Sequence, residues 1–138
     1  MSQTQEVITQ NPITPETCFV PKTHEGKGRR TAVKPGATAA RYLHYGRITI
    51  AAGDTAEKFS NNDHETGLIC LNGSAKVSTN GSSFQLDQYD TVYVPRDSEI
   101  EVEATGDAGC DLAEVSAPVE KQYPLQFVSY KEVRENPR

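Results

Sequence analysis

The fold is decided by the stretch HETGLICLNGSAKVSTNG, residues 64–81. Its largely apolar run, Glu65–Leu71, has the length of one β-strand and is followed at once by Asn72-Gly73. A second run, 74–78, leads to Asn80-Gly81. Asn-Gly is the dipeptide that most favours a two-residue turn between antiparallel strands. The stretch therefore predicts two consecutive hairpins, and with them a β-protein.

Strand patterns continue on both sides of this stretch. The segment 99–104 alternates strictly, with Ile100 and Val102 on one face and glutamates on the other, as expected for a half-buried strand. A helical period is suggested only at 130–135. Further strands are predicted at 17–20, around 31–33, and at 41–51, 83–86, 91–94, 111–116 and 125–129. About eight to ten short strands, spaced by roughly 8–12 residues, predict an all-β sandwich or barrel.

Length and charge limit the organisation and the partners. A chain of 138 residues is expected to hold one domain. We predict a polar N-terminal arm at 1–16, the β-domain at 17–130 and a C-terminal tail at 131–138. The formal net charge of −5 argues against nucleic acid, because phosphate binding needs a basic face. The short basic cluster 27–30 is a candidate anion-binding site, although we expect a solvated loop there.

The same survey predicts the compartment. The sequence has no apolar run near the ~20 residues of a membrane helix, and its N-terminus lacks the features of a signal peptide. The three cysteines, Cys18, Cys70 and Cys110, are odd in number and lack paired spacing. Such a pattern predicts free thiols in a reducing compartment. We therefore expect a cytoplasmic protein that does not bind membranes.

The order and spacing of the turns resemble the two sequence motifs of the cupin family. Gly53 and Gly73 take the glycine positions of the first motif. The segment 90–95 takes the place of the second motif, with Tyr89 where its first glycine stands in the family. The resemblance covers residues 41–116 and implies a single cupin-type, jelly-roll β-barrel.

Shorter segments narrow the resemblance. Residues 45–53 and 64–77 are similar to strands of the sugar-acid isomerase cupins, the family of 5-deoxy-glucuronate isomerase and 5-keto-4-deoxyuronate isomerase. Residues 116–118 and 123–124 resemble the linker of that family. The resemblance implies a ketol isomerase of uronate or inositol catabolism, acting on a small sugar acid. It extends only over the N-terminal half of such proteins, whose catalytic metal site lies in the C-terminal half.

The cupin frame also indicates where a metal would bind. A transition metal needs three or four His, Cys or carboxylate ligands that converge on one point. The frame places Phe59, Asn61, Thr66 and Ile100 at the four usual ligand positions. We therefore predict no metal cofactor. If the register of the frame differs, a divalent metal would be held by His44, His64 and Glu65.

Ketol isomerisation needs a base that moves a proton between neighbouring carbons and an electrophile that polarises the carbonyl. We predict Glu65 as the base and His64 as the electrophile, with Lys76 as the alternative electrophile. The period of a strand places His44 on the inward face of 41–51. The predicted substrate-binding residues are His44, Arg47, Tyr93 and Lys76, of which Arg47 suits a carboxylate.

Simpler interpretations stay open for these side chains and for the function. His44 would then be bonded to backbone, His64 solvated beside Asp63, Arg47 an outward strand charge and Tyr93 a packing residue. The chain is an isomerase, a metal-free carbohydrate-binding or partner-completing subunit without catalytic activity, or a structural homodimer that binds no small ligand. An open sheet edge invites pairing, so we expect a homodimer or an assembly with a second cupin chain.

Overall fold

The structure is a computed structural model and describes residues 12–136. Two short helices, α1 (Pro15–Cys18) and α2 (Tyr130–Glu135), flank the strands. The strands are β1 (Gly28–Val33), β2 (His44–Ile50), β3 (Glu57–Ser60), β4 (His64–Gly73), β5 (Ala75–Thr79), β6 (Ser82–Leu86), β7 (Thr91–Val94), β8 (Glu99–Ala104), β9 (Cys110–Pro118) and β10 (Gln126–Val128). The all-β prediction is confirmed.

The strands form two antiparallel sheets. The larger sheet has the order β1-β2-β9-β4-β7-β10, and the smaller one has the order β3-β8-β5-β6. The two sheets do not join into one closed barrel. Between them lies the core, made of Ile48, Ile50, Leu68, Cys70, Ala75, Val77, Leu86, Val92, Val94, Ile100, Val102, Cys110 and Leu112. Among residues 12–136, no helix is long and apolar enough to cross a membrane.

Two of the three free cysteines belong to this core. Burial raises the pKa of the Cys70 thiol, and likewise that of Cys110, to about 11. Desolvation disfavours a thiolate at both positions. These thiols are packing groups rather than nucleophiles, as the apolar run around Cys70 predicts.

The turn at Asn72-Gly73 differs from the prediction. β4 and β5 belong to different sheets, so the hairpin predicted at Asn72-Gly73 is wrong. Gly73 pairs with Cys110 on β9 and has a φ of +73°, and a β-carbon there would collide with the carbonyl oxygen of Gly109. The close approach of β9 holds the end of β4 in the larger sheet while the chain crosses to the smaller one. The hairpin predicted at Asn80-Gly81 is confirmed, since Thr79 pairs with Ser82 across it.

Residues 12–35 also depart from the prediction. The strand predicted at 17–20 is wrong, because Thr14 and Thr17 form a reciprocal capping box that begins helix α1. The loop predicted at the basic cluster is wrong from Gly28 onward, since β1 begins there and pairs with β2. Residues 1–11 of the predicted arm and residues 137–138 of the predicted tail lie outside the described residues.

Tyr89 supports the motif frame. Its φ of 72° lies in the left-handed region, which glycine adopts most readily. The frame had placed Tyr89 at a glycine position of the second motif, and the backbone there has the conformation of a glycine. The strand that follows, β7, ends at Val94 before Pro95, as predicted.

We expect Gly73→Ala to destabilise the protein much more than Gly81→Ala. Both glycines have positive φ, so each substitution costs about 1–2 kcal/mol of backbone strain. A β-carbon at Gly81 meets open space, whereas one at Gly73 meets the backbone of β9. The Gly73 variant should therefore lose about 3 kcal/mol or more of unfolding free energy, measured by urea denaturation. Equal losses in the two variants would show that the approach of β9 is not a constraint.

Candidate functional site

The inner face of the larger sheet changes from apolar to polar along its strands. Its apolar part is formed by core side chains such as Ile48, Leu68 and Leu112. At one end the register aligns polar groups instead, with His44 opposite Ser116 and Ser116 opposite Thr66. We call the cleft at this end the mouth; it has a volume of about 160 Å³. Its lining is Arg29, Thr31, His44, Tyr45, Gly46, Ser60, Asn61, Asn62, Asp63, His64, Thr66, Glu114 and Ser116.

Two histidines meet edge to face in the mouth. The ring centroids of His44 and His64 are 4.6 Å apart at an interplanar angle of 62°. Nδ1 of His44 lies 3.2 Å from the backbone carbonyl oxygen of Tyr42. Because a carbonyl only accepts, this Nδ1 carries a proton, and in the neutral ring Nε2 is then an acceptor. The predicted backbone bond of His44 is confirmed, and it determines what the ring offers to a ligand.

His64 is held from both sides. Its Nδ1 lies 3.2 Å from Oγ of Ser116, and its Nε2 lies 3.8 Å from Oδ1 of Asp63. The His64 side chain is 23% exposed, whereas that of Asp63 is 64% exposed. The imidazole is therefore a fixed group at the rim of the mouth, and the carboxylate beside it is largely solvated.

An ion pair crosses the mouth from β1 to β9. Nε and Nη2 of Arg29 donate to Oε1 and Oε2 of Glu114 at 2.9 and 2.8 Å, a bidentate geometry that both orients and strengthens the pair. The Glu114 side chain is only 9% exposed, against 36% for Arg29. The guanidinium also lies 3.8 Å from the ring centroid of Phe59. Glu114 is thus a buried carboxylate whose charge is neutralised by a partner that reaches solvent.

Asn61 closes one wall of the mouth. Its Nδ2 donates to the carbonyl oxygen of Pro95 at 2.8 Å and to Oγ1 of Thr66 at 3.3 Å, and its Oδ1 accepts from the backbone N–H of Ser98 at 2.9 Å. Both ends of the amide are bonded within the protein. Asn61 is a structural residue that joins β4 to the turn before β8.

The four positions of the metal frame do not fit a metal ion. Ile100 is 2% exposed in the core, and Phe59 lies against Arg29. Both ends of the Asn61 amide are hydrogen-bonded to backbone groups. Within residues 12–136, no group of three or more His, Cys, Asp or Glu side chains is arranged to hold a metal. The alternative set of His44, His64 and Glu65 does not come together either, for the reason given next.

Glu65 and Tyr93 lie on the outer face of the larger sheet. Oη of Tyr93 donates to Oε1 of Glu65 at 2.6 Å, and burial together with this bond raises the pKa of Tyr93 to about 12. The two residues line a groove of about 260 Å³, which we call the outer groove. Because neighbours in a strand point to opposite faces, His64 and Glu65 are separated by the sheet. The remaining lining of the outer groove is Leu43, Thr66, Gly67, Val115, Ser116 and Ala117.

Arg47 and Lys76 lie away from the mouth as well. Arg47 is on the face opposite Ile48, as predicted, but it is buried rather than outward, and Nε donates to Oδ1 of Asp111 at 3.0 Å. The bond to Asp111 raises the pKa of the Arg47 guanidinium. Lys76 is exposed on the smaller sheet, 4.0 Å from Glu103. Of the six predicted site residues, the structure brings His44 and His64 together in the mouth and Glu65 and Tyr93 together at the outer groove.

Sequence reasoning missed Glu114 and Ser116, and it placed Arg29 in a candidate anion-binding cluster without identifying its partner. In the run 111–116 the apolar residues fall on both faces, so alternation does not identify Glu114 as inward. Its burial depends on Arg29, which is 85 positions away in the chain. The one available signal was a lone arginine-rich segment in an otherwise acidic chain.

The comparisons with known proteins agree with this architecture. The model of the KduI/IolB family matches residues 18–138. An IolB-like protein from Salmonella typhimurium LT2 superimposes with a TM-score of 0.66 at 23% identity, over 78% of this chain and 44% of that one. The chain thus spans less than half the length of that protein. No curated protein matches the sequence.

Two further structures similar to this chain are cupins. The cupin domain of Schizosaccharomyces pombe Cnp3 has a TM-score of 0.57 at 16% identity, over 66% of this chain and 64% of that one. A cupin protein from Bacteroides fragilis has a TM-score of 0.58 at 14% identity, over 77% and 92% of the two chains. The predicted cupin fold is confirmed.

The ion pair of the mouth gives a prediction about stability. Arg29→Met leaves a buried carboxylate without its partner, whereas Glu114→Gln leaves an arginine that already reaches solvent. We expect Arg29→Met to lower the unfolding free energy by about 2–4 kcal/mol at pH 8, and Glu114→Gln by ~1 kcal/mol.

Lys76→Met is the matched control for this measurement by urea denaturation. Its pair with Glu103 is exposed on both sides, so its loss should stay below about 1 kcal/mol. A larger loss in Glu114→Gln than in Arg29→Met would contradict the view that Glu114 is the buried partner.

Proposed function

The chain belongs to the KduI/IolB family, and on that premise we propose that it binds a small sugar acid in the mouth between its two sheets. The proposal rests on one observation above the others. Two histidines, an arginine and a buried carboxylate converge in one cleft above an apolar floor. A polyhydroxylated acid offers the complementary groups, namely one carboxylate, several hydroxyls and apolar carbons.

The polar groups of the mouth suit such a ligand. Glu114 accepts hydrogen bonds from hydroxyls, and the side chains of Thr31 and Ser116 donate or accept them. Binding sites for small molecules typically combine an apolar lining with a few polar groups that fix the orientation. This mode of binding does not need a metal ion coordinated by the described residues.

We propose binding without turnover. Ketol isomerisation requires a base and an electrophile on the same carbon pair, and the predicted pair of His64 and Glu65 lies on two faces of the sheet. Glu114 faces the mouth, but both of its oxygens accept hydrogen bonds from Arg29, so it is engaged as an ion-pair partner rather than poised as a base. The non-catalytic alternative from the sequence is therefore the one that the geometry favours.

A second function is favoured by the outer groove. Its apolar part includes Leu43, which is 48% exposed, and the neighbouring Tyr42 is 64% exposed. Exposed apolar surface of this kind often marks a protein interface. The chain would then act as a subunit that pairs with a second copy or with another cupin chain. Sedimentation velocity tests the pairing with a second copy, because a strictly monomeric species at high protein concentration contradicts the homodimer.

We expect D-glucuronate or D-galacturonate to bind the purified protein saturably, with a Kd of about 1 mM or lower, measured by calorimetry. Ser116→Phe should abolish binding because the ring fills the mouth. Ser83→Phe on the exposed face of β6 is the matched control and should bind normally. We also expect no isomerised product in NMR spectra of the mixture.

Two results would contradict the proposal. The first is the absence of saturable binding for both uronates. The second is binding that Ser116→Phe leaves unchanged while circular dichroism shows a folded variant, since the ligand would then sit outside the mouth.

A further inference from the structure

We propose that His44 and His64 form the carboxylate subsite of the mouth, and that a sugar acid binds there with uptake of a proton by this pair. The inference rests on the function proposed above. It adds the orientation of the ligand and a dependence of affinity on pH.

The tautomer of His44 determines what its ring can offer to a ligand. Its Nδ1–H donates to the carbonyl oxygen of Tyr42, so the neutral ring can offer a ligand only the lone pair of Nε2. A carboxylate is also an acceptor and carries a negative charge. The two groups repel each other until Nε2 takes up a proton, after which the ring becomes a charged donor. An acid can therefore be held at His44 only by the protonated imidazole.

The position of His64 allows both rings to contact the same ligand group. Its ring lies against that of His44 at 4.6 Å between centroids, which is close enough for one carboxylate to reach both rings. Because its Nδ1 contacts a hydroxyl, which can donate to it, His64 can adopt the tautomer with its proton on Nε2 and donate that proton to a ligand while the ring stays neutral. The pair thus combines one ring that needs a proton with one that does not.

The ion pair of the mouth sets the direction of the ligand. Glu114 lies two residues from Ser116 along β9, toward the apolar floor, and its negative charge disfavours a second carboxylate at that depth. Two nitrogens of Arg29 already donate to Glu114. The ligand carboxylate is therefore placed at the histidines, and its neighbouring hydroxyls at Glu114.

The other titratable and charged groups that face the pair come from four elements. They are Arg29 on β1, Tyr45 on β2, Asp63 before β4 and Glu114 on β9. Arg29 and Glu114 neutralise each other. Asp63 lies 3.8 Å from Nε2 of His64 and is largely solvated. A proton on His44 therefore meets no unpaired cation among these groups.

The test is calorimetry with D-glucuronate and with its neutral analogue D-glucuronamide. Titrations at pH 6, 7 and 8 in phosphate and in Tris give the affinity and the number of protons taken up. For glucuronate we expect proton uptake near neutral pH and an affinity that falls by up to about tenfold per pH unit above pH 7. Glucuronamide should bind with no proton uptake and with the same affinity at every pH.

Variants assign the effect to the two rings. His44→Gln and His64→Gln should each weaken the binding of glucuronate by about tenfold or more. His44→Gln should also remove the proton uptake. Glucuronamide should bind both variants as it binds the wild type. The control is His24→Gln, whose imidazole is 68% exposed, and it should keep the full pH dependence.

The outcomes separate the two proposals. Saturable binding of glucuronate with constant affinity from pH 6 to 8 and no proton uptake would overturn the carboxylate subsite and leave the proposed function standing. Absence of saturable binding for glucuronate, galacturonate and glucuronamide alike would overturn both. The wild-type titrations decide the question even if a histidine variant fails to fold.

Discussion

A carboxylate buried between two β-sheets needs a partner, and Glu114 finds it in the guanidinium of Arg29. This ion pair allows the interior of the sandwich to end in a polar cleft rather than to continue as an apolar core. It ties the edge strand β1 to β9 across β2, and it holds Arg29 over Phe59 of the smaller sheet. The mouth, its histidine pair and its orientation of charge follow from that arrangement.

Much of the fold could be predicted because local signals and long-range pairing agree. The turn at Asn80-Gly81 joins strands that pair with each other, and the alternation of 99–104 matches the buried side chains of β8. Asn72-Gly73 carries the same dipeptide, but its conformation is determined by the approach of β9. No local pattern encodes that contact, so the same signal predicted one turn correctly and the other wrongly.

In the candidate site, too, local sequence patterns placed single residues correctly but did not reveal contacts between distant ones. The period of a strand places His44 inward, and the structure confirms that it lines the mouth. The same period places Glu65 on the face opposite His64, which is incompatible with the predicted catalytic pair. Glu114 could not be recognised, because the burial of a charge depends on a partner far away in the chain. The resemblance of the motifs predicted the cupin fold, whereas the set of side chains that line the mouth became visible only in three dimensions.

The most direct test of the account is chemical-shift mapping of the isotope-labelled protein titrated with D-glucuronate. We expect the largest changes at His44, His64, Glu114 and Ser116, with the imidazole nitrogens of His44 moving toward their protonated values. Changes concentrated at Leu43, Tyr93 and Ala117 would place the ligand in the outer groove instead. That result would contradict the assignment of the mouth as the ligand site.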